Sequence, residues 1–118
     1  LDKKLYLILT SDESRHLCYH YSLQLGLILK DVDLVWCGIY CPFSNGYCAH
    51  AFILKNGYLY DSNHRLSHKF DDYAKSTHLK VYKSWSYKEY SIPLFRSTVR
   101  KDFKKWCKEN NVTGYTYF

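Results

Sequence analysis

The apolar and polar positions of the chain form their clearest pattern around the dipeptide Asn56-Gly57. An apolar run at 51–54 precedes this dipeptide, and a shorter one at 58–60 follows it. Both residues tolerate the positive φ of a type I′ turn, so the pattern predicts a β-hairpin. Side chains alternate between the two faces of a strand. Counting outward from the turn therefore places six residues on one face: His50, Phe52, Leu54, Leu59, Asp61 and Asn63.

The apolar residues before the hairpin are spaced as in a strand in some segments and as in a helix in another. A short strand is predicted at 4–10, and helical spacing follows at Leu17, Tyr21, Leu25 and Ile28. These four residues predict the buried stripe of a helix. Thr10 and Glu13 fit a capping box at its start, with Ser14 as a later cap, and the helix is expected to end near Lys30. Residues 34–41 are apolar throughout, which predicts a strand buried on both faces.

The segments after the hairpin predict further strands and a second long helix. Residues 64–77 are polar, with one helical turn expected at 71–75. Strands are predicted at 79–85, 87–93 and 112–118. Ser97 or Thr98 is expected to cap a helix that ends near Asn110. Its buried stripe is predicted to be Val99, Phe103, Trp106 and Cys107. This order of elements predicts an α+β fold with a mainly antiparallel sheet.

Composition favours one packed domain, residues 1–118. Of the 118 residues 47% are hydrophobic, which is enough for a single core. No apolar stretch is long enough to span a bilayer, and the N-terminal apolar run is short and lacks a cleavage signal, so it is interpreted as a strand. The five cysteines are an odd number. We therefore expect reduced thiols, a cytoplasmic location and no membrane partner.

The net charge of +6 permits an anionic partner. Four lysines of the final predicted helix cluster together: Lys101, Lys104, Lys105 and Lys108. Such a cluster is usually a solvated face, so nucleic acid is a less favoured partner than protein.

Cys18, His50 and Asp61 are the candidate catalytic residues. A thiol becomes a good nucleophile as a thiolate, and a neighbouring imidazole lowers the pKa of the thiol. A third group that accepts a hydrogen bond from the imidazole fixes its orientation. In the hairpin register Asn63 lies directly opposite His50 and Asp61 lies diagonally, so Asn63 is the alternative orienting residue.

The order of these motifs resembles the papain-like cysteine enzymes, and within them the transglutaminase-like branch. Cys18-Tyr19 lies on the first helix, His50-Ala51-Phe52 opens a strand, and Tyr60-Asp61-Ser62 closes the next one. The resemblance covers roughly 10–63, about half of the chain. It implies a papain-like fold in which the helix bearing Cys18 packs on the sheet, with a C-terminal amphipathic helix added.

The resemblance also implies acyl transfer by a Cys-His-Asp triad. Cys18 would be the nucleophile, His50 the base and Asp61 the orienting acid. The substrate would be an amide or thioester of a protein or peptide, and the enzyme a peptidase, a deamidase or a transglutaminase. No cofactor or metal is implied.

Two other functions stay open at this stage. One is a non-enzymatic basic interaction protein, of viral or mobile-element type, that binds a host protein or nucleic acid. The other is a small zinc-stapled module, because Cys37, Cys41, Cys48 and His50 lie close together in the sequence. On a strand, however, Cys37 and Cys41 would be about 13 Å apart, which favours buried apolar roles for both. A Cys41–Cys48 disulfide is expected only in an oxidising compartment.

Overall fold

The computed structural model describes residues 18–41, 46–61 and 66–118. Four helices occur in this part of the chain: α1 (Cys18–Leu29), α2 (Phe70–Ser76), α3 (Tyr87–Tyr90) and α4 (Phe95–Glu109). The strands are β1 (Asp33–Cys41), β2 (Gly46–Lys55), β3 (Tyr58–Asp61), β4 (Leu66–Lys69), β5 (Lys80–Trp85) and β6 (Val112–Thr113). The α+β prediction is confirmed. The predicted strand at 4–10 and the caps at Thr10 and Ser14 lie outside the described residues.

The predicted hairpin is β2–β3. Asn56 has φ 52° and Gly57 has φ 80°, as a type I′ turn requires. Lys55 pairs with Tyr58 and Leu54 pairs with Leu59, so the predicted register is confirmed.

The sheet has the strand order β4-β3-β2-β1-β5, and its pairs along this path are antiparallel. Strand β6 pairs with β2 in parallel. Strands β1 and β2 pair along their whole lengths, with Cys37 directly opposite His50. The mainly antiparallel sheet is therefore confirmed. No helix in the described part of the chain is long and apolar enough to cross a membrane.

The two faces of the sheet carry separate cores. On what we call the main face, Trp36, Ala51 and Ile53 pack with residues of α1 and α4. The ring of Trp36 lies 5.0 Å from that of Phe103 and 5.1 Å from that of Phe118. The second face carries a smaller core, which consists of Val35, Cys37, Ile39, Phe52, Leu59 and Tyr73. Strand alternation thus decides which core each residue of β1 and β2 joins.

Two predicted strands were wrong in whole or in part. Residues 87–90 form helix α3, because Ser86 and Glu89 make a capping box in which Glu89 Oε1 accepts a hydrogen bond from the Ser86 N–H at 3.1 Å. The terminal strand is limited to 112–113, since Gly114 adopts φ 78° and a 3₁₀ turn follows at Tyr115–Tyr117. Strand β4 was missed; it lies in the polar stretch 64–77, where only one helical turn was predicted.

The buried stripe of α1 also differs from the prediction. It consists of Cys18, Ser22, Leu25 and Gly26, whereas Tyr21 and Ile28 are only half-buried. A Cβ on Gly26 would lie 2.9 Å from the hydroxyl of Tyr90, so only glycine allows α3 to approach this closely. The Tyr90 hydroxyl lies 3.0 Å from the carbonyl oxygens of Gly26 and Val32. Burial, with the nearby Asp33 charge next, raises the pKa of Tyr90 to about 12.

Helix α4 begins before its predicted caps. The hydroxyls of Ser97 and Thr98 donate to the carbonyl of Leu94 at 3.0 and 2.9 Å, which places both residues inside the first turn. Leu94 itself precedes the helix with φ 64°. Phe103 and Cys107 are fully buried, as the stripe predicted. Burial raises the pKa of the Cys107 thiol to about 12, so this cysteine is a core residue.

Candidate functional site

His50 lies within the sheet on its second face. It is 1% exposed, and its ring centroid is 6.3 Å from that of Phe52 on the same strand face. Cys37, opposite on β1, donates its Sγ hydrogen to the His50 carbonyl oxygen at 3.4 Å. The apolar residues of β2 and of its partner strand therefore also bury His50.

Cys18 lies in the other core. Its side chain is 8% exposed and belongs to the apolar cluster of Trp36, Ala51 and Ile53 on the main face. Because His50 and Ala51 are consecutive in one strand, their side chains leave the sheet on opposite faces. The structure therefore places Cys18 and His50 on opposite sides of the sheet and does not assemble them into a dyad.

The third candidate residue lies beyond that pair. Asp61 closes β3, where its backbone pairs with Leu66 of β4. Asn63 lies outside the described residues. The sequence therefore identified the strands that carry the polar residues, but the helix packs on the face opposite to His50.

The four residues of the zinc alternative do not converge. Cys37 lies opposite His50, and Cys41 lies four residues farther along β1. In the ranges that the structure describes, which include all four residues, no group of three or more His, Cys, Asp or Glu side chains could hold a metal ion.

A different site lies where α1, α3 and the start of α4 meet. A groove of about 340 Å³ is lined by Leu23, Leu27, Tyr90, Ser91, Ile92, Leu94, Phe95, Arg96, Ser97 and Arg100. We call it the α4 groove. Three aliphatic side chains at its mouth are exposed: Leu94 by 78%, Ile92 by 51% and Leu27 by 40%. Leu94 holds a left-handed backbone conformation that disfavours a branched residue, so strain and exposure coincide at this position.

A cationic surface continues from this groove along α4. A second depression of about 360 Å³ is lined by Ser97, Arg100, Lys101 and Lys104, and thus shares two residues with the α4 groove. Helix α4 contains six basic and two acidic residues, a net +4 of the chain's +6. Arg96, Arg100, Lys104 and Lys108 follow one another at four-residue spacing and share a helix face. We call these four residues the cation row.

The charges of the cation row repel one another. The pKa of Lys104 is lowered by partial desolvation and by the charges of Arg100, Arg96 and Lys108, in that order. No acidic residue lies in the first turn of α4, so the positive end of the helix dipole adds to the same field. Like charges at this spacing destabilise a helix. An anionic partner bound along the cation row would reduce the repulsion between them.

Arg96 and Arg100 have different environments. Arg96 Nε donates to the Phe118 carbonyl at 2.6 Å, and its guanidinium lies 4.4 Å from the centre of the Tyr19 ring. Arg100 Nε is buried, yet it has no hydrogen-bond partner among the described residues. A buried donor without an acceptor costs free energy, typically about 1–3 kcal/mol. Arg100 lines both depressions, so an anion bound there would supply the missing acceptor.

Only part of this site was predicted from the sequence. The lysines of α4 were interpreted as a solvated face, whereas Arg100 and the apolar mouth of the groove were not predicted. The four-residue spacing of the cation row was the available signal. The sequence did not show that Leu27 and Leu94 line one groove, because this depends on how α3 docks on α1.

The comparisons with known proteins do not identify a family for the chain. No protein-family model matches the chain, and neither the curated proteins nor the solved structures give a match.

Proposed function

We propose that the protein is a non-enzymatic binding module that holds an acidic segment of a partner protein in the α4 groove. The observation that carries the proposal is Arg100, whose buried Nε has no acceptor among the residues that the structure describes. Arg100 lines the α4 groove and also belongs to the cation row. The partner segment would place one or two aliphatic side chains against Leu27 and Leu94. Carboxylates that follow them would reach Arg100 and Lys104.

The chemistry of the groove favours protein over nucleic acid. Non-specific binding of a nucleic acid strand uses aromatic side chains on which bases stack. The exposed apolar residues at this mouth are aliphatic, namely Leu27, Ile92 and Leu94. Burying such side chains against an aliphatic anchor gains roughly 25 cal/mol per Å² of apolar surface, and the neighbouring cations then select acidic residues.

The test uses a fluorescein-labelled peptide in which two leucines precede six glutamates. Anisotropy should report saturable binding that weakens with salt, because exposed charges are screened within about 8 Å at physiological ionic strength. The double substitution R100Q/K104Q should weaken binding by about tenfold, or ~1.4 kcal/mol. The matched control K69Q/K75Q removes the same charge from exposed positions of β4 and α2 and should leave affinity within about twofold.

Two further probes separate the alternatives. A peptide with glutamine in place of glutamate should lose most of the affinity, and a peptide without the leucines should lose part of it. Equal loss in both double variants would reduce the effect to net charge and would reject the α4 groove. Tighter binding of a single-stranded oligonucleotide, again weakened by R100Q/K104Q, would replace the protein partner with nucleic acid.

We propose as a second function the acyl transfer implied by the papain-like, transglutaminase-like resemblance. The order of elements favours it: a helix with Cys18, then β2 with His50, then β3 ending at Asp61, all in an antiparallel sheet. The reaction would need Cys18 and His50 on the same face of the sheet. His50 would take the thiol proton, Cys18 would attack the carbonyl, and His50 would protonate the leaving group.

Iodoacetamide labelling of the native protein tests this second function. An activated Cys18 should react far faster than the other four cysteines, and the H50A variant should remove that difference. A Cys18 that reacts as slowly as the fully buried Cys37 and Cys107 would reject acyl transfer. Such a result would leave the binding proposal untouched, because the α4 groove contains neither Cys18 nor His50.

A further inference from the structure

Two of the five thiols lie next to each other at the end of the β1–β2 pair where the chain passes from Cys41 to Gly46. Cys41 is opposite Gly46, and Cys48 is opposite Ile39, so the cysteines are diagonal neighbours on adjacent strands. Both project to the second face, because Cys41 is four residues from Cys37 on β1 and Cys48 is two residues from His50 on β2. Both side chains are half-buried.

The two side chains are close enough to interact directly. A hydrogen bond between the Cys41 and Cys48 side chains and the charge on Cys48 are among the causes that raise the pKa of Cys41 to about 12, after burial, which is the largest. Cys41 therefore keeps its proton, which makes it a poor attacking group, and we assign the first attack to Cys48. The other cysteines differ, since Cys18, Cys37 and Cys107 are buried in the two apolar cores.

We propose that Cys41 and Cys48 form a redox-active dithiol, which is oxidised to an intramolecular disulfide by a low-molecular-weight disulfide such as glutathione disulfide. The site shares no residue with the α4 groove. Both side chains are only half-buried, so a small co-reactant can reach them.

The exchange balances in two steps. The Cys48 thiolate attacks one sulfur of the co-reactant, whose S–S bond breaks and releases one glutathione thiolate. Cys41 then gives up its proton to solvent and attacks Cys48 Sγ, so that the Cys41–Cys48 bond forms and the second glutathione leaves. The two protein thiols are oxidised, and one glutathione disulfide is reduced to two thiols. The high pKa of Cys41 makes the second step the slower one, and it should accelerate with rising pH.

Mass spectrometry of the native protein after incubation with glutathione disulfide tests the exchange. The native sequence should lose two hydrogens, and peptide mapping should join Cys41 to Cys48 and leave Cys18, Cys37 and Cys107 reduced. The C41S variant should stop at a single glutathione adduct on Cys48, because the resolving thiol is missing. The C48S variant should form at least about tenfold less of any product, because the attacking thiol is missing.

Phenylarsine oxide supplies a second measurement that needs no oxidation. Its trivalent arsenic bridges two neighbouring thiols, so one equivalent should protect both Cys41 and Cys48 from maleimide. Either single substitution should weaken this binding by at least about hundredfold, which is the difference between a bridged and a single thiol contact. Equal arsenical binding by the single variants, or a disulfide that joins any other pair of cysteines, would overturn the proposal. So would glutathione adducts on the native sequence that never resolve.

Discussion

His50 and Arg100 are the polar residues at the centres of the two candidate sites, and their surroundings differ. His50 lies in the middle of a strand, 1% exposed, where Cys37 and Phe52 enclose it on the second face. Arg100 lies on a surface helix and lines two depressions, and its buried Nε has no partner among the described residues. A polar residue inside an apolar strand is buried in the core on the face to which its side chain points. A cation outside the core can still contact a partner.

The largest expected effect concerns the role of His50 in the core. We expect His50→Ala to lower the free energy of unfolding by about 2–4 kcal/mol, because it leaves a cavity between β1 and the Phe52 ring. Urea denaturation measures this loss, and Tyr58→Ala, at a position 46% exposed, is the control that should change stability little. A fully stable His50→Ala protein would show that His50 does not belong to the second core.

The next largest effect is expected at the Gly26–Tyr90 contact, which holds α3 on α1 and so shapes the α4 groove. Gly26→Ala puts a Cβ 2.9 Å from the Tyr90 hydroxyl, and we expect it to cost about 1–3 kcal/mol of unfolding free energy. Adding Tyr90→Phe removes the crowding hydroxyl, so the double variant should lose less than the sum of the two single losses. Strict additivity, measured in a double-mutant cycle by urea denaturation, would contradict the close contact.

The sequence predicted the fold better than the site, and the reason lies in the range of the interactions. Asn56-Gly57 determines its turn locally, and the register of β2 and β3 follows from it by counting. The stripe of Phe103 and Cys107 likewise needs only the helical period. Ser86 and Glu89 also carried a local signal, the capping box, which was overlooked in favour of a strand.

The placement of Cys18 and His50 on opposite faces of the sheet has a different origin. Counting residues tells which side chains of a strand share a face, but it does not tell which face a preceding helix will cover. Helix α1 packs against Ala51 and Ile53, and this choice depends on Trp36, Phe103 and Phe118, which come from distant parts of the chain. The α4 groove has the same dependence, since Leu27 and Leu94 line one groove only after α3 docks on α1.

Replacement of Leu94 is expected to change the stability of the fold and the affinity of the groove in opposite directions. Replacing it with glycine should raise the free energy of unfolding by about 1 kcal/mol, because a branched side chain at φ 64° is strained and 78% of this one is exposed. The same substitution should weaken binding of the leucine–glutamate peptide several-fold, because an apolar contact is lost. Ile92→Ala, at an exposed position next to it, is the control that should weaken binding without the gain in stability. A Leu94→Gly protein that is less stable would show that Leu94 packs within the fold.

Arg100 gives the smallest expected change in stability and the sharpest contrast with His50. Arg100→Gln removes one of the repelling charges of the cation row, so we expect it to leave the unfolding free energy unchanged or raise it by about 0.2–0.5 kcal/mol at low salt. The gain should vanish in high salt, where the repulsion is screened, and Lys75→Gln should show no such salt-dependent gain. A loss above about 1 kcal/mol would mean that the Arg100 side chain supports the fold, as His50 does. A residue that weakens peptide binding when replaced, yet costs the fold nothing, is the expected signature of a site that keeps its charge for a partner.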